Sequence, residues 1–158
     1  MNSIYLDIET RSFRGANHYI TVVGFYHQQT GLRQLLWPDI DAQTLAEALP
    51  EAEDIYTYNG NSFDLKVIEQ EIGLKLTETY KSRDLMYTCW SRGLKGGLKS
   101  VERQLGIPRT QPPLNNYEIQ HCWTRWKHHE DKDELARLLK YNEEDVMNLL
   151  ELRKRLGV

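Results

Sequence analysis

Two carboxylates, Asp7 and Glu9, sit two residues apart in the run Ile4-Tyr5-Leu6-Asp7-Ile8-Glu9-Thr10. The run reads as a strand, in which residues two apart share a face. Ile4, Leu6 and Ile8 then face one side and both acids face the other. Like charges on a short, mostly apolar strand are costly unless a cation lies between them. Oxygen ligands suit hard divalent ions such as Mg²⁺ or Mn²⁺. A lone tripeptide of this kind is also common on solvated strands, so the reading depends on further acids elsewhere in the chain.

Two such acids stand out. Asp64 ends the segment Tyr58-Asn59-Gly60-Asn61-Ser62-Phe63-Asp64, a junction from strand through loop to helix. Ligands of open α/β sheets gather at such junctions, and the first turn of a helix favours a carboxylate. Helix capping together with Ser62 is the alternative role. Asp145 lies four residues after Tyr141, so on a helix the two share a face one turn apart. Val146, Leu149 and Leu150 put that face near the core, whereas Glu143 and Glu144 are expected in solvent. A core-edge tyrosine and a surface acid are the plainer explanations of Tyr141 and Asp145 taken singly.

The elements that must position these residues follow from pattern. Strands are expected over Tyr19 to His27 and Leu32 to Trp37, joined by the turn Gln28-Gln29-Thr30-Gly31. Ala42, Leu45, Ala46 and Leu49 fall at helical spacing behind Asp41 as N-cap. A strand over Asp54 to Tyr58 leads into a helix from near Phe63 to Gly73, which carries Leu65, Ile68 and Ile72. Asp84 is placed to begin a helix through Met86 and Cys89. Leu98, Val101 and Leu105 mark another, ended by Gly106 and Pro108. From Gln111 to Lys132, opened by Pro112-Pro113, a loop with a short helix is expected, with His128-His129 solvated. The last thirty or so residues read as helix. This order predicts a mixed sheet covered by helices, in a single domain over residues 1–158.

At 158 residues, with 40% apolar and 27% charged side chains, the composition is that of an ordinary soluble protein. No apolar run approaches a membrane span and the N-terminus lacks a signal-peptide pattern, so a cytoplasmic location with Cys89 and Cys122 as free thiols is expected. The net charge of −3 hides an uneven distribution. Residues 34–65 hold Asp39, Asp41, Glu47, Glu51, Glu53, Asp54 and Asp64 and no base. Residues 81–109 hold Lys81, Arg83, Arg92, Lys95, Lys99, Arg103 and Arg109 against Asp84 and Glu102. That stretch is either a phosphate-facing surface or a solvated basic face.

Together, Asp7-x-Glu9, Asn59-x-x-x-Phe63-Asp64 and Tyr141-x-x-x-Asp145 resemble the three ordered motifs of the DEDD exonuclease superfamily. The tyrosine four residues before the last aspartate is the mark of the DEDDy branch; where the other branch carries histidine, this chain has Lys140. Gly97-Leu98-Lys99-Ser100-Val101-Glu102, Leu105-Gly106-Ile107 and Leu138-Leu139-Lys140-Tyr141-Asn142 look like prokaryotic exonucleases related to the proofreading domain of family B DNA polymerases.

The resemblance implies an α/β, ribonuclease H-like fold, with three antiparallel strands followed by parallel strands in a mixed central sheet and flanking helices. It implies a 3′→5′ exonuclease acting on the 3′ end of single-stranded DNA or RNA with two Mg²⁺ or Mn²⁺ ions. Two ions about 4 Å apart can clamp the attacking and leaving oxygens of an in-line displacement. By analogy Asp7 bridges the ions, Glu9 and Asp64 complete their shells, and Asp145 holds the water-activating ion. Tyr141 then orients water, since a phenol with a reference pKa near ~10 is a poor base. Asn59 and Phe63 are candidate substrate-binding residues, Asn59 by hydrogen-bonding the terminal nucleotide or a metal ligand. Lys95 and Lys99, beside Gly93, Gly96 and Gly97, are candidates for phosphate contact. Trp90, Trp123 and Trp126 are either base-stacking platforms or core residues. A protein partner that delivers substrate fits a domain without polymerase segments. A structure-specific endonuclease and a catalytically silent nucleic-acid-binding module are the competing readings.

Overall fold

Strand β1 (Ser3–Phe13) is the middle strand of a five-stranded sheet in a computed structural model that describes residues 2–13 and 16–158. On one side it pairs antiparallel with β2 (Ala16–His27), which pairs antiparallel with β3 (Gly31–Leu36). On the other side it pairs parallel with β4 (Asp54–Thr57), and β4 with β5 (Lys81–Asp84). The order β3-β2-β1-β4-β5 is the mixed sheet expected from the sequence, with β5 as an added edge strand. Lys81-Ser82-Arg83-Asp84 has no apolar alternation, because its backbone rather than its side chains joins the sheet.

The alternation of β1 decides both faces. Ile4, Leu6 and Ile8 pack with Val23, Phe25 and Ile55, and with Leu45 of α1 (Ala42–Ala48) and Leu65 and Ile68 of α2 (Asp64–Ile72). Tyr5 faces the other way, into a cluster with Tyr56, Leu85, Val101, Val146, Leu149 and Leu152. Apart from Tyr56 of β4, these come from α3 (Leu85–Ser91), α4 (Leu98–Leu105) and the 25-residue α6 (Lys132–Leu156). Leu138, Tyr141, Asp145, Leu149, Leu152 and Leu156 are buried along α6 at helical spacing, so one stripe of this helix lies on the sheet. Asp7 and Glu9 share the side of β1 that α6 covers.

Two expectations change. Residues 111–132 contain a 14-residue helix, α5 (Asn116–His129), in place of a loop with a short helix. Its start is a capping box: Asn115 accepts from the Glu118 N–H at 2.8 Å while the Glu118 carboxylate accepts from the Asn115 N–H. Pro112-Pro113 lie before this cap, so they end the preceding segment without entering the helix. His128 and His129 are exposed as expected, but in the last turn of α5. Glu144 is buried, not solvated, and accepts from the Thr110 N–H at 2.7 Å and from the Thr110 hydroxyl. The segment after α4 folds over α6 and supplies these donors.

Asp84 ties the β4–α2 junction to α3. Its Oδ1 accepts from the N–H of Asn59 (2.8 Å) and of Met86 (3.1 Å), and its Oδ2 from the N–H of Asn61 (3.2 Å). It is therefore the N-cap of α3, as the sequence predicts, and also the anchor of a loop in which Asn59 holds a left-handed φ of 62°. Asp84→Ala leaves the buried Met86 N–H and the partly buried Asn59 and Asn61 N–H groups without this acceptor, and the expected loss is about 2–4 kcal/mol of unfolding free energy. Urea denaturation of variant and wild type measures it directly; a loss under about 0.5 kcal/mol would contradict the anchoring role.

Candidate active site

Each acidic side chain is placed by a different element. Asp7 and Glu9 descend from the middle of β1, where Asp7 pairs with Gly24 and Glu9 with Val22. A register irregularity follows directly after Glu9, of the kind that re-aims side chains at sheet edges and active sites. Asp64 opens α2, and no side chain caps this helix. Its carboxylate reaches instead across to β1, where Oδ2 accepts from the Ile8 N–H at 3.0 Å. Asp145 comes from the buried stripe of α6, one turn after Tyr141.

Asp7, Glu9 and Asp145 each bring a carboxylate oxygen within 4.8 Å of one another. Asp7, Asp64 and Asp145 line a cavity of 560 Å³ together with Asn59, Phe63, Lys99 and Trp90. Glu9 lies beneath, 6% exposed, and its Oε1 is buried without a hydrogen-bond partner. An orphaned buried carboxylate oxygen beside two further carboxylates is what a hard divalent cation would complete. The residues present therefore fit such an ion, and Asp7, Glu9 and Asp145, with Asp64 in the same cavity, are the ones that would hold it.

The electrostatics agree. Burial, and then the charges of Asp145, Glu9 and Asp64, raise the Asp7 carboxyl well above its usual range. Burial, with Asp145 beside it, pushes Glu9 up to about 8. Burial likewise pushes Asp64 up to about 7, although the Ile8 N–H opposes the shift. Two cations offset part of this repulsion. Lys99 Nζ lies 2.7 Å from Asp145 Oδ2, and the Arg109 guanidinium bonds Asp145 Oδ1. Arg109 is itself held by a two-pronged bond to Glu102, both contacts at 2.7 Å. Burial alone would lower the Lys99 ammonium, but Asp145, Tyr141 and Asp7 hold it well above its usual range.

The Tyr141 ring carries Lys99 Nζ 4.5 Å from its centroid. Burial, with Asp145 close by, raises its phenol well above the usual range, so the hydroxyl keeps its proton and can donate. Asn59 and Phe63 line the cavity, Phe63 exposed at 42%. Lys95 instead rests on Trp90, its Nζ 3.1 Å from the Trp90 carbonyl and 5.5 Å from the ring centroid. Trp90 is exposed at the cavity edge, whereas Trp123 is buried against Tyr19 and Trp37 and Trp126 packs beside it. Sequence reasoning missed Arg109 and Glu102 as a pair acting on Asp145, and Asn142, whose amide donates to Asp7. A polar residue at helical spacing within the buried stripe of α6 was the available signal for Asn142.

Residues 4–157 match the RNase H superfamily, and the chain belongs to that superfamily. Its fold is similar to that of the family B DNA polymerase from the hyperthermophilic archaeon Pyrobaculum calidifontis, with a TM-score of 0.73 and 16% identity. That likeness covers 98% of this chain and 24% of the polymerase, so the chain spans about a quarter of the polymerase's length. It is also similar to a nuclease solved in its apo form, with a TM-score of 0.63, 19% identity, and coverage of 98% of this chain and 71% of the nuclease. At these identities the likeness speaks for the fold. No curated protein matches the chain. Among the described residues no helix is long and apolar enough to cross a membrane.

The raised carboxyls make stability pH-dependent with a definite sign. A carboxyl that binds its proton more tightly when folded stabilises the fold at low pH. It loses that contribution as pH rises from the unfolded value toward the folded one. For Asp64 and Glu9 that window runs from 3.8 and 4.5 to about 7 and about 8. With EDTA present, Tm should fall by several degrees between about pH 5 and pH 8, and Mn²⁺ should reverse the fall at the upper end. Thermal melts across this range read both, and a flat profile in EDTA would contradict the repulsion described.

Proposed function

We propose that this chain is a DEDDy-type 3′→5′ exonuclease that hydrolyses phosphodiester bonds at the end of single-stranded DNA or RNA, over a single domain of residues 1–158. The observation that carries it is the meeting of Asp7, Glu9 and Asp145 within 4.8 Å, at a cavity of 560 Å³ that Asp64 also lines, with Tyr141 one turn before Asp145 on α6. Two bound Mg²⁺ or Mn²⁺ ions would supply charge neutralisation and Lewis acidity there.

The chain's own residues then divide the work. Asp7, Glu9, Asp64 and Asp145 would hold the ions. Tyr141, protonated and one turn from Asp145 on α6, orients the attacking water by donating or accepting through its hydroxyl. Lys99, whose Nζ sits between Asp145 and the Tyr141 ring, supplies a positive charge at the point where the scissile phosphate gathers negative charge. Asn59 and Phe63 at the cavity wall receive the terminal nucleotide, with Lys95 farther out along the strand's path. A nucleic acid end is the partner this arrangement suits, and a further protein that presents it is compatible with the domain's size.

With a 3′-labelled single strand and Mn²⁺, the wild type should release mononucleotides. Asp64→Asn and Asp145→Asn should each reduce the rate on the order of 10³-fold. Tyr141→Phe should lower kcat by about 10–100-fold with KM little changed. Intact label with both Mg²⁺ and Mn²⁺ would overturn the proposal, and internal cuts in a 3′-blocked strand would replace it with the endonuclease reading.

A further inference from the structure

One row across the sheet contains a gap. On β2, Gly24 pairs with Asp7 of β1 on one side and with Gln34 of β3 on the other. Directly paired residues of adjacent strands point to the same face, so Asp7, position 24 and Gln34 form a line on the face that α6 covers. Glycine leaves the middle of this line empty. The Asn142 side chain, fully buried, descends from α6 into that space. A Cβ at position 24 would stand 2.0 Å from Asn142 Oδ1, so no other residue fits there without displacing the amide.

The carboxamide is fixed at both ends. Its Nδ2 donates to the Asp7 carbonyl at 3.2 Å and to Asp7 Oδ2 at 3.1 Å. Its Oδ1 accepts from Gln34 Nε2 at 3.0 Å, and Gln34 Nε2 also donates to the Leu139 carbonyl at 2.8 Å. Both groups at Asp7 are acceptors, so the amide must present its nitrogen to them. Gln34, by donating to the oxygen, excludes the flipped orientation, which would aim Oδ1 at a carboxylate.

We infer that Asn142 and Gln34 form a relay that orients the Asp7 carboxylate for the divalent cation. The inference rests on the proposed metal site and adds positioning residues to it. Gln34 lies two strands from Asp7 and lines no part of the cavity, yet it decides which atom of Asn142 meets the ligand. Tyr141 and Asn142 are neighbours on α6, so the same turn of helix sets the phenol ring against Lys99 and locks Asp7 from behind. Groups that hydrogen-bond a metal ligand in this way commonly change affinity by about 10–100-fold when removed.

The test is Mn²⁺ binding without nucleic acid, followed by electron paramagnetic resonance on folded protein well below its Tm. Gln34→Met removes the donor with little change of shape, Gln34→Glu turns it into an acceptor, and Asn142→Leu removes the amide. Each should weaken Mn²⁺ binding about 10-fold or more, Gln34→Glu more than Gln34→Met, and exonuclease kcat should fall in parallel with KM for the strand nearly unchanged. Should Asn142→Leu fail to fold, the two Gln34 variants decide the matter. A lower Tm with wild-type Mn²⁺ affinity would make the relay purely structural and overturn the inference alone. Tight Mn²⁺ binding without strand hydrolysis by the wild type would overturn the proposed reaction and leave the relay intact. No Mn²⁺ binding by the wild type would overturn both.

Discussion

Three carboxylates at one cavity and a fourth, Glu9, buried beside them repel one another, and burial removes most of the water that would screen them. Much of the molecule is arranged around that repulsion. Asp64 is held by a backbone N–H of β1, Asp145 by Lys99 and Arg109, and Asp7 by the amide of Asn142. Arg109 would itself be a buried charge, and Glu102 pairs with it. These contacts reach from β1 to α2, α4, α6 and the segment after α4, so the acidic centre is also where the elements are fastened together. Glu9 Oε1 is left without a partner. That orphaned atom marks where compensation by the protein stops and where a cation would take over.

This arrangement separates two kinds of cation. Arg109 is buried and held at two points by Glu102, so it stays with Asp145. Lys99 is less enclosed and stands at the end of a flexible stem, so it is the more easily displaced of the two. Lys95, read from sequence as its equivalent, is occupied with Trp90 at the rim. Two lysines four residues apart thus have different neighbours because α4 begins between them: Lys99 enters the covered face of the sheet and Lys95 remains on the preceding loop.

The sequence carried the fold wherever local pattern governs it. The alternation of β1, the caps Asp41 and Asp84, the glycine stops at Gly73 and Gly106 and the buried stripe of α6 are properties of neighbouring residues, and the structure has all of them. β5 escaped because a four-residue edge strand of Lys, Ser, Arg and Asp has no alternation to read. α5 is longer than local pattern suggests because Pro112-Pro113 mark a break, while the Asn115–Glu118 capping box just beyond them starts a 14-residue helix.

For the candidate site, the sequence by itself determined which acids are present, that Asp7 and Glu9 share a strand face, and that Tyr141 and Asp145 share a helix face. Those relations follow from periods of two and 3.6 residues, which any stretch of chain reveals. Only the tertiary structure decided what each acid touches: Ile8 N–H for Asp64, Arg109 and Lys99 for Asp145, Asn142 for Asp7. It also gave Gly24 its purpose, as the gap that admits Asn142 between Asp7 and Gln34. Such pairings depend on strand register and helix placement summed over the whole fold. A hydrogen bond between residues a hundred or more positions apart leaves no trace in local periodicity.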